Sequence, residues 1–157
     1  MRIVRSSGLA AALVLVAAAC GTSTGSQAPA SAAPGTAPLG AWTATITEQD
    51  FREAGLTDAG LISENAGTFT WTLFPDGTFI ESMQADHPVR WPVFRGTWAE
   101  TEPGILGLRT TFPPDYVGEY IVVRWTREAD GLHVRLVEPP EPTLKVHFET
   151  HPWLPAP

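Results

Sequence analysis

The chain carries a single cysteine, Cys20, in 157 residues, which excludes an internal disulfide. Catalytic signatures are equally scarce. No serine sits in a Gly-x-Ser-x-Gly context, and the four histidines, His87, His133, His147 and His151, show no spacing typical of zinc ligands. Pro75-Asp76-Gly77 has the composition of a turn rather than of a metal loop. The expectation is a protein with no metal, no cofactor and no enzymatic activity. Basic residues are few: 10 Lys and Arg against 17 Asp and Glu give a formal net charge of −7. That balance disfavours nucleic acid and anionic lipid headgroups as partners. The uncharged run at residues 8 to 19 is too short for a transmembrane span.

What stands at the start is a cationic pentapeptide, Met1-Arg-Ile-Val-Arg5, followed by that small, Leu- and Val-bearing run. The pair has the order of a signal-peptide n-region and h-region. It ends in Val16-Ala-Ala-Ala-Cys20. The pattern resembles the lipobox of bacterial lipoproteins, with Ala17 where Leu is common. The resemblance implies a signal peptide over residues 1–19 and lipid attachment at Cys20, the mature N-terminus. Several acyl chains there would hold the protein on the extracytoplasmic side of a membrane. Loss of Arg2 and Arg5 with the leader takes the net charge to 8 − 17 = −9. Residues 20–38 read as a disordered tether, without a large apolar side chain or a charge. Its root-mean-square reach is roughly 20 to 25 Å. Residues 39–157 remain as one domain.

The domain is organised around residues 67 to 83. Phe69, Trp71 and Leu73 alternate with Thr68, Thr70 and Thr72, the period of a strand with one buried face. Pro75-Asp76-Gly77 then turns the chain. A three-residue loop sets Leu73 opposite Phe79, Trp71 opposite Glu81 and Phe69 opposite Met83, all on one side. A hairpin cannot hide such a face alone. Upstream, Leu39 to Ile46 reads as a first strand. Thr47-Glu-Gln-Asp50 resembles a capping box for a helix over about residues 48 to 54, with Gly55 at its end. A second helical piece starts at Thr57-Asp58 and ends near Gly67.

Downstream, the loop at Arg90-Trp91 can close a barrel mouth, meet a partner or fold onto its own domain. Phe94 and Trp98 flank Gly96 on one strand face, and Glu102-Pro-Gly104 turns into a strand begun by Leu106 and Leu108. A second hairpin, Tyr120 to Val137, turns at Asp130-Gly131 with two or four loop residues. Either choice puts Ile121, Val123 and Trp125 on one face with Leu132, Val134 and Leu136; a three-residue loop would set Trp125 against Arg135. Leu144, Val146 and Phe148 alternate with Lys145, His147 and Glu149, which predicts a final strand. The tail His151 to Pro155 reads as irregular, with Trp153 capping an end of the core. Helices are thus expected only between about residues 48 and 66. The fold class is all-β: about eight antiparallel strands in a meander, closed into a barrel to remove exposed edges. His133 and His147 fall on outward faces and read as solvated.

Gly40-x-Trp42 on the first strand resembles the Gly-x-Trp signature of the calycin superfamily, which includes lipocalins and fatty-acid-binding proteins. The helix-turn-helix insert after that strand, through Glu48-Gln-Asp-Phe51 and Ala54-Gly-Leu56, is similar to the one in fatty-acid-binding proteins. The resemblance implies a calycin-like barrel with an apolar ligand cavity. No Arg-x-Tyr pair stands on the last strands, so the family's carboxylate-binding residues are not carried over.

The candidate ligand contacts are Trp71, Trp98 and Trp125, together with Glu81 and Arg124. Glu81 is the unusual member, a carboxylate placed among apolar neighbours, and must be paired, protonated or solvated. It either sits at a barrel mouth or bulge, or meets a ligand inside with Arg124 or Arg95 beside it. The tryptophans serve equally as core. Two function classes follow: an anchored binding protein for a small, mainly apolar ligand, and an anchored envelope interaction module with a filled barrel. A cavity of roughly 300 Å³ or more separates them.

Overall fold

The computed structural model describes residues 37–85, 87–90 and 92–157. The expected signal peptide, Cys20 and most of the expected tether lie outside the described residues, as does Trp91. Among the described residues, no helix is long and apolar enough to cross a membrane.

Strand β1 (Gly40–Ile46) leads into helices α1 (Glu48–Glu53) and α2 (Ala59–Asn65). The capping box forms as its residue types require. The Thr47 hydroxyl accepts from the Asp50 backbone N–H, and the Asp50 carboxylate accepts from the Thr47 N–H at 2.7 Å. Asp58 caps α2 by accepting from Leu61 N–H at 3.0 Å. Six strands then follow: β2 (Gly67–Leu73), β3 (Thr78–Gln84), β4 (Val93–Glu102), β5 (Ile105–Phe112), β6 (Tyr120–Glu128) and β7 (Gly131–Glu138). Helix α3 (Pro142–Glu149) and the two-residue strand β8 (Leu154–Pro155) complete the chain.

The strands form one antiparallel sheet in the order β7-β6-β5-β4-β3-β2-β1-β8, an eight-stranded meander. Closure comes from the tail. β8 pairs with β1, while Trp153 and Leu132 of β7 exchange two backbone hydrogen bonds of 2.8 Å. The two edges of the meander thereby meet across a few tail residues, which covers the unpaired backbone that open edges would present.

The inward register agrees with the period-two reading. Trp71 faces Trp42 and Glu81, Leu73 faces Phe79, and Phe69 faces Met83. Further round, Phe79 faces Gly96, Trp98 faces Leu108, Leu106 faces Val123 and Trp125 faces Val134. The β2–β3 loop holds three residues, and Gly77 takes a positive φ of +82° that a side chain would strain. The β6–β7 loop holds two, Ala129 and Asp130. At the start of the domain, Pro38 is already fully buried and its carbonyl accepts from the Trp42 indole at 2.8 Å.

Two expectations fail at the C-terminus. Residues 144–149 are helix, not a final strand, and the eighth strand lies in the tail read as irregular. The Leu144, Val146, Phe148 alternation is real, but stronger local signals override it. Glu141 caps the segment by accepting from Leu144 N–H at 2.6 Å, and Pro142 sits in the first turn, where its missing N–H costs nothing. Burial of Thr143, Val146 and His147 follows the i, i+3, i+4 spacing of a helix face. Helices therefore extend beyond residues 48–66, and a 3-10 turn at Pro114–Tyr116 adds a further short piece.

Candidate functional site

A cavity of about 380 Å³ lies between the inner faces of β2, β3, β5 and β6 and the buried side of α3. Phe69, Trp71, Phe79, Leu108, Ile121 and Phe148 give it an apolar wall. Residues from α2, the Val89-Arg90 segment, the 3-10 turn and the start of β6 stand around it. Gly96 occupies the inward position opposite Phe79 and leaves room for the Phe79 ring against β4. A Cβ there would collide with the Phe79 ring and the Arg109 carbonyl. Phe94, the next inward residue of β4, stays half-buried and meets the Tyr116 ring edge-on at 5.3 Å between centroids.

The polar centre is Glu81 with His147. The three-residue loop fixes Glu81 on the inward face of β3, opposite Trp71 and Phe94. Its side chain is 16% exposed. His147 arrives from α3 with its ring edge-on to Phe69 at 4.3 Å and to Phe148 at 4.8 Å, and its Nε2 lies 3.4 Å from Glu81 Oε2. That separation suits an ion pair, but Nε2 makes no hydrogen bond. The expected solvated, outward His147 is thus corrected: on a strand it would face water, and on a helix it joins the buried stripe with Thr143 and Val146.

The other sequence candidates separate. Trp71 lines the cavity and is fully buried, touching Phe148 and Trp153 edge-on at 6.1 and 5.9 Å. Trp125 is buried core and does not line the cavity. Trp98 is half-buried, donates its indole N–H to the Phe74 carbonyl at 3.0 Å, and is also outside the lining. Arg124 is exposed, between the inward Val123 and Trp125, so strand alternation turns it away from the interior. Arg95 is exposed as well, with its guanidinium over the Phe112 ring at 5.9 Å. Of the five residues proposed as ligand contacts, Trp71 and Glu81 come together at the cavity. The contribution of α3, namely Thr143, Leu144, His147 and Phe148, was not foreseen. Glu141-Pro142, a cap followed by Pro at the first helical position, is the signal that could have found it.

The remaining histidines are peripheral. His133 is partly exposed, in keeping with its solvated reading, and bonds Asp130 at 2.9 Å. That bond is the main cause holding the Asp130 carboxyl below its ordinary value. Glu128 completes an exposed triad with them, the ligand atoms lying within 4.8 Å of one another. His87 bonds Ser63 at 3.1 Å. His151 lies 3.2 Å from Asp50. Burial pushes the Asp50 carboxyl up, but the bonds from the Thr47 backbone and hydroxyl, and then His151, outweigh it and leave the group below 3.8.

No family model, curated protein or solved structure matches this chain.

Proposed function

We propose that the domain is a binding protein for a small, mainly apolar ligand, held outside a bacterial membrane by lipid on Cys20. The cavity carries this reading: about 380 Å³ of space walled by aromatic and aliphatic side chains falls in the range of small-molecule sites, roughly 300 to 1,000 Å³. An apolar wall with a small number of polar groups is the usual composition of such sites. Trp71 is on the wall, so occupancy is expected to change its fluorescence.

Two measurements test this. Native mass spectrometry of the gently purified protein is expected to show a discrete small-molecule adduct, and titration with a panel of apolar compounds is expected to shift Trp emission. Leu108→Trp, which projects a larger ring into the cavity, should weaken both. A bare mass together with an unmoved emission across the panel would leave the filled interaction module instead. The anchor is tested separately: Cys20→Ser should release the protein from membranes or leave it unprocessed, and unchanged lipid labelling of that variant would end the anchoring claim.

A further inference from the structure

The charge around the cavity is one-sided. Among the described residues that line it, four are carboxylates: Glu64, Glu81, Glu119 and Glu141. Arg90 and His147 are the basic ones. Arg90 is engaged by Asp115 at 2.8 Å and its side chain is 71% exposed. Glu141 is also occupied, capping α3 through Leu144 N–H. Glu64 and Glu119 are exposed and stand on the open side. Glu81 alone is drawn into the apolar part.

A second observation points to what Glu81 lacks. His147 is 8% exposed and borders the cavity, yet its Nε2 is buried with no hydrogen-bond partner. Glu81 Oε2 sits 3.4 Å from that nitrogen without a hydrogen bond between them. When the imidazole carries its proton on Nδ1, Nε2 is an acceptor turned toward the same space as the carboxylate, 3.4 Å away, and no hydrogen bond joins the two. Half-dry acceptors of this kind are costly to leave unmet. An ammonium group offers three donors and the opposite charge, and charge-assisted bonds are the strong ones. A carboxylate ligand would instead meet like charges on several sides, and the net charge of −7 enriches cations near the surface.

We propose that the cavity selects an apolar ligand bearing a protonated amine, with Glu81 as its counter-charge and His147 Nε2 as the neighbouring acceptor. This rests on the ligand-binding reading and names the chemical class.

The test uses three probes of one shape: 4-phenylbutylamine, 4-phenylbutanol and 4-phenylbutanoate, titrated calorimetrically into the lipid-free chain at neutral pH. The amine is expected to bind about tenfold or more tighter than the alcohol, as one buried charge-assisted contact would give, and the carboxylate weakest. Glu81→Gln keeps the shape and should bring amine and alcohol to similar affinities. Glu119→Gln, at the exposed side, should lower amine affinity by a smaller factor and serves if Glu81→Gln melts early. Amine binding no tighter than alcohol, or a preference that survives Glu81→Gln in a folded variant, overturns the amine selectivity and leaves the apolar site standing. Failure of all three probes to bind overturns the ligand reading as well.

Discussion

Where β1, β2 and β7 meet the tail, the barrel is solid: Ile46, Phe51, Leu132 and Trp153 are completely buried and Leu73 nearly so. On the other side, β3 and β4 leave most of their inward residues half-buried. Met83 and Phe94 are only partly covered, and Glu81 stands where an apolar residue would complete the stripe. The same strand alternation builds both sides. The difference is what covers them. The tail and α1 press onto the first side, and Phe51 and Trp153 fill it. The second is bordered by one side of α3, a short turn and loops, and keeps open space between them. A barrel of this size can be filled or can hold one small ligand. This chain is filled on one side and keeps open space on the other.

The contrast can be broken by removing rings. Trp153→Ala should cost about 3 to 5 kcal/mol, because the site is fully buried and also closes β7 onto the tail. Trp71→Ala should fall in the same range while enlarging the cavity. Met83→Ala, on the loosely filled side, should cost less than about 2 kcal/mol, since a partly exposed side chain has less area to lose. Equal losses for Trp153→Ala and Met83→Ala in denaturant titrations would erase the distinction. Gly96→Ala is next, at about 1 to 3 kcal/mol, because its Cβ collides with Phe79 and with backbone.

The α1 cap gives a smaller effect with a pH signature. Thr47→Ala should cost about 1 kcal/mol. The Asp50 carboxyl is held below its ordinary 3.8 in the folded chain, so the stability it adds is present above that value. It is lost as pH falls through the folded-state value. The difference between the native chain and Asp50→Asn in thermal melts should therefore shrink below pH 3.8. Arg124→Ala should be the mildest, within about 0.5 kcal/mol and without effect on any probe, because the side chain faces solvent.

Much of the barrel was legible because period-two alternation, turn residues and a capping box act locally. Pro75-Asp76-Gly77 set the register that put Glu81 opposite Trp71, so half of the polar centre could be read from a loop length. The other half could not be read that way. His147 alternates correctly for an outward strand position and equally well for a buried helix face. The decision lies with Glu141-Pro142, five residues or more upstream, and with the space that the sheet leaves for a helix. Trp98 and Trp125 share the inward face with Trp71, yet only long-range packing decides which ring borders empty space.

The central claim is that apolar space persists inside the barrel between Phe69, Phe79, Leu108 and Ile121. Crystals pressurised with xenon test it directly, because dry apolar cavities take up xenon. A xenon peak among those four side chains, displaced in Leu108→Trp crystals, is the expected result. Side chains closed over that space with no xenon peak inside the barrel would contradict it.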